Sequence, residues 1–289
     1  MKYSAMRIIL SALITLSILN CTKDDDPDFL DLPDKFPLSV GNKWDYNRTV
    51  KLMYKPDSTA VGMNTAYTDS TIELSDIFSE ALKDTVLEDT ISVIMVKSIE
   101  IPVNGKQDIE GGTDFYRNKE DGFYEYIHST LKQSEYNPKT KILYKNKQYN
   151  SLEELKDVLG LTMIRDIAKQ KDMFREYKSI EYPIEIGNEW DAGSIANTFT
   201  KIKKVIGREI IEFSEDEFEV YKIQTFWDWD EDGVWEEDVK SVLYLSKYGF
   251  VKTRFELWNL AHTDEFNNII DYFDVLEEEV LTDYDVALE

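Results

Sequence analysis

The densest group of potential ligands in the chain is Asp228-Trp229-Asp230-Glu231-Asp232-Gly233-Val234-Trp235-Glu236, an Asp-x-Asp-x-Asp-Gly-x-x-acid pattern. Carboxylates at alternate positions converge on one centre when such a segment curls. Glycine in the sixth place permits the sharp turn, the seventh residue offers a backbone carbonyl and the ninth a further oxygen. The expected ligand set is therefore Asp228, Asp230, Asp232, the carbonyl of Val234 and Glu236, with Glu237 or Asp238 available to complete it. Hard oxygen donors in this number suit Ca²⁺ better than a transition metal. Position 12 is Val239, where an EF-hand needs a bidentate Glu, and the flanks read as strands, so the expected setting is a calcium loop within a β-hairpin. Without a closing Glu such a site binds weakly, on the order of 10⁻⁴ to 10⁻³ M, which is adequate outside a cell. The competing reading is a solvated hairpin turn at Asp232-Gly233, since 57 of the 289 residues are Asp or Glu and acidic clusters arise easily.

Other chemistry is sparse. Trp227 and Trp229, at i and i+2 on a strand, would share a face and either pack under the hairpin or offer an aromatic platform to a sugar; packing is the favoured reading. His128 and His262 are the only candidates for an imidazole base, and neither a nucleophile elbow, a phosphate loop nor a His-Glu-x-x-His helix occurs. Paired carboxylates could serve a glycosidase, but the sequence nominates no pair. One Cys allows no internal disulfide, and one Cys with two His cannot build a zinc cluster. A net charge of −24 opposes binding to a phosphate backbone, so no nucleic-acid partner is expected.

That single Cys has a telling position. Lys2 and Arg7 precede Ile8 to Leu19, a 12-residue run with nine apolar residues and no charge, which reads as a secretion signal over residues 1–20. The run is too short to span a bilayer as a helix and closes at Ile18-Leu19-Asn20-Cys21. Residues 21–35 form a tether: Thr22-Lys23-Asp24-Asp25-Asp26-Pro27-Asp28 is a charged run unable to bury a core.

The elements that must position these groups are mainly strands. Phe36-Pro37-Leu38-Ser39-Val40-Gly41-Asn42-Lys43-Trp44-Asp45 recurs 146 residues later as Tyr182-Pro183-Ile184-Glu185-Ile186-Gly187-Asn188-Glu189-Trp190-Asp191, identical at five of ten positions. In each copy Pro favours an extended residue before it, Gly-Asn supplies a turn, and Trp opens a strand. Phe36, Leu38, Val40, Trp44 and Tyr46 are expected to face a core. The repeat suggests two similar β halves, 36–150 and 182–289, either separate or one domain. A hairpin is expected at Glu120-Asp121-Gly122, a turn at Gly207 within Phe199–Phe213, and a half-buried strand with Val251, Thr253, Phe255 and Leu257 on one face. Residues 57–90, rich in Asp, Thr and Ser, read as a long loop. A helical insert is expected over residues 151–178. Ser151-Leu152-Glu153-Glu154 forms a capping box, Leu152, Leu155, Val158 and Leu159 follow helical spacing, Gly160 can stop the helix, and a second stretch carries Met163, Ile164, Ile167 and Ala168. The expected fold is mainly β, an antiparallel sheet in an open or half-barrel form, with a short helical insert.

Ile18-Leu19-Asn20-Cys21 resembles a bacterial lipobox, with Asn20 in place of the usual small residue, and the acidic run after it resembles the export signal of Bacteroidota-type surface lipoproteins. The two motif copies, with Tyr244-Leu245-Ser246-Lys247-Tyr248-Gly249-Phe250-Val251-Lys252, resemble a largely uncharacterised group of such lipoproteins carrying a repeated Phe-Pro-Leu-x-x-Gly-x-x-Trp motif. The resemblance covers about residues 36–255. It implies that Cys21 carries a thioether diacylglycerol and an N-acyl chain such as palmitate, anchoring the protein to the outer membrane with its body facing the exterior. The calcium pattern is also similar to the hairpin loops of integrin-like repeats. The expected function is a lipid-anchored, non-catalytic surface module that binds a glycan or a surface protein or supports an assembly. A carboxylate-based glycan-active enzyme and a periplasm-facing lipid or lipoprotein carrier are the alternatives.

Overall fold

Alternating β-branched and aromatic residues build strands along nearly the whole chain. The computed structural model describes residues 32–55, 67, 69–87, 90–103, 112–127, 141–159, 175–193, 199–213 and 216–288. In chain order the strands are β1 (Lys43–Lys55), β2 (Asp69–Leu87), β3 (Ile91–Pro102), β4 (Thr113–Lys119), β5 (Gly122–Ile127), β6 (Lys141–Tyr144) and β7 (Lys147–Tyr149). After helix α1 (Leu152–Leu159) come β8 (Arg175–Glu181), β9 (Glu189–Asp191), β10 (Thr200–Phe213), β11 (Asp216–Asp228), β12 (Val239–Ser246), β13 (Gly249–Thr263) and β14 (Ile269–Asp285).

All of them belong to one antiparallel sheet with the order β8-β5-β4-β3-β2-β1-β14-β13-β12-β11-β10-β9, while β6 pairs with β13 and carries β7. The first strand pairs with the last along its full length, from Lys43↔Asp285 to Lys55↔Tyr272, so the two halves are continuous. The sheet curls until its edges face each other, a nearly closed barrel. Side chains bridge the remaining seam: Trp190 Nε1 donates to Lys178 O at 3.1 Å and Lys203 Nζ to Ser179 O at 3.2 Å.

The two motif copies lie at the same end of the barrel and are built alike. Gly41 N donates to Ala81 O (2.7 Å) and Gly187 N to Val205 O (2.8 Å). The Asn42 amide reaches back to Pro37 O and the Asn188 amide to Pro183 O, at 3.0 and 2.9 Å. Both glycines take φ near +95° (+97° and +94°), a region closed to most side chains. Lys43 pairs with Glu80 and, with the charges exchanged, Glu189 with Lys204, each at 3.4 Å. The copies also touch: Tyr182 Oη accepts the Phe36 N–H and donates to Asn118 Oδ1, both at 2.8 Å. Phenylalanine in the second copy could do neither. Gly249 of the late Tyr-to-Lys motif sits against the first copy, where an added Cβ would lie 3.0 Å from Trp44 Nε1, and Tyr248 O accepts that indole N–H at 2.7 Å.

Inside, two apolar layers enclose a polar belt. Phe36, Trp44, Phe123, Trp190, Val205, Leu245, Val251 and Leu281 fill the motif end. Trp227, Leu155, Leu159, Leu257, Leu260 and Phe273 fill the other. Between them Arg48 donates to Glu100 (2.6 Å) and Glu277 (2.7 Å), Ser75 donates to Glu100 (2.6 Å), and Thr253 donates to Glu279 (3.2 Å). Helix α1 contributes to both regions. Its Leu155 and Leu159 are buried, Trp227 Nε1 donates to Leu159 O at 3.0 Å, and Lys156 reaches into the belt to pair with Glu277. The cap forms as expected on one side, Ser151 Oγ accepting the Glu154 N–H at 3.1 Å, while the Glu154 carboxylate accepts Asn150 N–H at 2.5 Å.

Several expectations are corrected. Residues 69–87, expected within a loop, form the longest described strand; of its inward serines Ser75 bonds Glu100 of the polar belt and Ser79 bonds Ser98, while Ile72, Leu74 and Phe78 point outward, which hides the usual alternation. Gly207 is not a turn, because β10 runs through it with Ile206 as an extra, bulged residue. Val40 does not face the core, since the turn carries it to an exposed tip. The expected helical span gives way to strand from Arg175, where Tyr177 and Ile180 pair with β5. Gly160, the second helical stretch, His128 and residues 1–20 lie outside the described residues. The hairpin at Glu120-Asp121, with Lys119 opposite Gly122, and the inward row Val251, Thr253, Phe255, Leu257 are as expected.

Candidate functional site

The acidic loop connects β11 to β12 at the end of the barrel opposite the motif turns. Asp228, the last residue of β11, is buried, and its carboxylate accepts the N–H groups of Asp232 (3.1 Å) and Gly233 (2.9 Å). Asp232 Oδ1 accepts from Val234 N at 2.8 Å. Positive φ at Glu231 (+59°) and Gly233 (+85°) closes the curl, and Glu236 N rejoins Trp227 O at 2.8 Å. One carboxylate oxygen from each of Asp228, Asp230 and Asp232 lies within 4.8 Å of the others. Glu236 lies apart, paired with Lys145 in the β6–β7 turn, which also holds Asp238 at 3.2 Å. Tyr144 Oη donates to Asp238 at 3.0 Å. Three of the expected side-chain ligands thus converge, the fourth is engaged by a lysine, and Val234 is exposed at the tip. Cys21 lies outside the described residues.

The tryptophans beside the loop are packing groups. Trp227 is fully buried and Trp229 stacks on Phe199 with ring centroids 5.2 Å apart, so the two do not form an open platform. Trp235 is partly exposed against Phe226. His262 stacks on Phe273 at 4.2 Å and bonds Asp271 at 2.8 Å, a structural placement.

A site that the sequence did not suggest opens at the seam. A cavity of about 630 Å³ is lined by Tyr124, Tyr177, Lys178, Glu176, Asp191, Thr200, Lys201, Phe199 and Glu231, among others. These residues come from five separate segments, so no local spacing announces them. Burial, then the neighbouring charge of Lys203, lowers the Lys201 ammonium to about 7, against the pull of Glu125 and Asp191. Burial lowers Lys203 to about 8. Lys178 resists its own burial through hydrogen bonds to Asp121 and Tyr124 and is raised to about 12. Deeper in, burial and Glu125 raise the Asp114 carboxyl well above its ordinary value. Charged groups and aromatic rings both line the cavity, which suits a polar ligand presenting hydroxyl or amide groups. Two of its carboxylates are already engaged: Glu176 with Tyr126 and Lys119, and Asp191 with the Gly193 N–H at 2.7 Å.

The chain is thus an antiparallel β protein, a nearly closed barrel with one short helix among the described residues. No protein-family profile matches it, and no curated protein matches its sequence. Among solved structures it is similar to a candidate exported protein with a YmcC-like fold from Bacteroides fragilis, at 10% identity over 88% of this chain and 99% of that one, with a TM-score of 0.35. It is also similar to a candidate lipoprotein from Parabacteroides distasonis, at 13% identity over 86% and 97%, with a TM-score of 0.31.

Proposed function

We propose that the protein is a lipid-anchored, outward-facing outer-membrane protein whose barrel is a non-catalytic binding or structural module. The observation that carries the reading is Cys21, the only Cys in 289 residues, placed where an uncharged apolar run ends and an acidic, Pro-containing run begins. The interior supports a module over a carrier. Its middle is a belt of mutually paired charges around Arg48, a poor channel for an acyl chain. The seam cavity supports binding over hydrolysis, because Glu176 and Asp191 hold local structure; its polar and aromatic lining fits a glycan or a segment of a surface protein. In cells given labelled palmitate, the wild-type chain should take up label and be digested by protease added to intact cells, whereas Cys21→Ser should take up none. A wild-type chain that is unlabelled or fully protected would overturn the surface-lipoprotein reading.

Calcium at Asp228, Asp230 and Asp232 is proposed as a stiffener of the β11–β12 loop, supported by the convergence of their carboxylates. At ten times its Kd, the ion would add about 1.4 kcal/mol by mass action. For a chain of this size that raises the melting midpoint by roughly 3–5 °C. Wild type should melt higher in millimolar Ca²⁺ than with chelator, and Asp230→Ala should not. Equal wild-type midpoints in the two conditions would sink the calcium proposal and leave the solvated turn.

A further inference from the structure

Lys178, Lys201 and Lys203 meet at the seam in three different surroundings. Lys203 has a structural use, tying the seam by donating to Ser179 O at 3.2 Å and Ser179 Oγ at 3.3 Å. Lys178 lines the cavity but is held by Asp121 at 3.1 Å and Glu181 at 3.4 Å, and it stays charged. Lys201, only 6% exposed, lines the cavity from the inner side of β10, where its register partner on β11 is the fully buried Trp227. Phe199, also buried, lines the cavity beside it. An inward lysine among buried aromatic rings carries a desolvation cost that an apolar residue would not. The same surroundings supply the two conditions that activate an amine, an apolar contact surface and a second cation close by. Burial, then the Lys203 charge, lowers Lys201 to about 7, so about half of it is the free base at neutral pH.

We infer that Lys201 captures carbonyl compounds: it holds a hydroxylated aldehyde, such as the open-chain form of a reducing sugar, as a reversible imine within the seam cavity. The inference rests on the reading of this cavity as a site for a polar ligand. Its volume, about 630 Å³, lies within the usual range of small-molecule sites. The lining carboxylates of Glu176, Asp191 and Glu231 disfavour an anion, so an uncharged carbonyl compound is the ligand that suits this amine. The nitrogen lone pair of Lys201 forms a C–N bond to the carbonyl carbon, and the C=O π pair moves onto oxygen. Both nitrogen protons end on that oxygen, the C–O bond breaks, and water leaves. One amine and one aldehyde give one imine and one water, with no oxidant or reductant. Asp191 and Glu125, the carboxylates whose charges act on Lys201, relay the protons. Asp191 lines the cavity from β9, the strand paired with β10. Such capture retains a ligand without turning it over, in keeping with a non-catalytic module.

The test incubates the full chain at neutral pH with ribose and cyanoborohydride, which reduces an imine to a stable secondary amine, and locates the adducts by peptide mass spectrometry. Ribitol, which has the same hydroxyls without the carbonyl, is titrated by calorimetry in parallel. Lys201 should be labelled about tenfold faster than the exposed Lys83 and Lys240, and than Lys178, which lines the same cavity in its charged form. Excess ribitol should slow labelling at 201 alone, and Lys201→Met should leave only the slow surface label. Fast labelling at 201 without measurable ribitol binding would still support capture and show that the carbonyl supplies the affinity. Even labelling of all these lysines with ribitol bound would overturn the imine and leave the polar-ligand reading standing. Even labelling without ribitol binding would overturn both. Fast labelling at 201 that bound ribitol does not slow would overturn capture within the cavity.

Discussion

Arg48→Met should destabilise the protein by about 3–5 kcal/mol, the range for breaking a buried ion pair from one side. Arg48 is the hub of the polar belt. Its guanidinium spans Glu100 at 2.6 Å and Glu277 at 2.7 Å and approaches Glu279 at 3.8 Å. Burial by itself would raise the Glu277 carboxyl, but Lys156 and Arg48 outweigh it and bring it down to about 2. Burial and the Glu277 charge instead raise Glu279. Methionine would fill the space yet leave Glu100 with Ser75, Glu277 with Lys156 alone, and Glu279 with a single hydroxyl. A depressed carboxyl stabilises the fold above its unfolded value, and the contribution is lost as pH falls through the folded one. For Glu277 that window runs from 4.5 down to about 2, and the variant should lack most of it. Urea unfolding at neutral and acid pH is the measurement. Glu279→Gln in the Arg48→Met background should recover part of the loss, because it removes the carboxylate left with a single hydroxyl, whereas Glu277→Gln would also orphan Lys156. A neutral-pH difference below about 1 kcal/mol, the scale of an exposed pair, would show that the belt is solvated and not structural.

The second large effect is a pH dependence. Lys201 and Lys203 point inward from β10 toward Glu125, and burial lowers them to about 7 and about 8 from the ordinary 10.5. Below its folded value Lys201 carries a proton in both states, and the fold bears the full penalty of a buried charge. Between about 7 and 10.5 the unfolded chain holds a proton that the folded chain has shed, so stability rises with pH, by about 1.4 kcal/mol per unit for one lysine. Above 10.5 the penalty is gone. Lys201→Met removes this contribution while leaving Lys203, Glu125, Asp191 and Asp114 in place. Its stability relative to wild type should therefore fall by about 1.4 kcal/mol per pH unit between pH 8 and 10. Parallel profiles across that range would mean that Lys201 is charged and hydrated within the seam.

How much of this was legible beforehand depended on whether neighbours in sequence are neighbours in space. The helix cap at Ser151, the hairpin after Lys119, the two Pro-to-Trp turns and the inward row of β13 are local patterns, and they formed where spacing placed them. The convergence of Asp228, Asp230 and Asp232 was legible for the same reason, since a five-residue curl brings alternate side chains together. Lys145's hold on Glu236 was not, because 91 residues separate them and only the pairing of β6 with β13 brings the β6–β7 turn over the loop. β2 was missed because Ser75 and Ser79 interrupt its core-facing side, and Ser75 makes sense only once Arg48 and Glu100 are across from it.

From the chain alone follow its antiparallel β class, its helix cap, its duplicated turn and the isolation of Cys21 at the end of an apolar run, because each depends on residue types within a few positions of one another. The closing of the sheet through β1 and β14, the belt around Arg48, the meeting of Phe36 with Tyr182 and the seam cavity were decided by tertiary structure. They join residues from about 50 to more than 200 positions apart, where contact is set by strand order and curvature and leaves no period in the sequence.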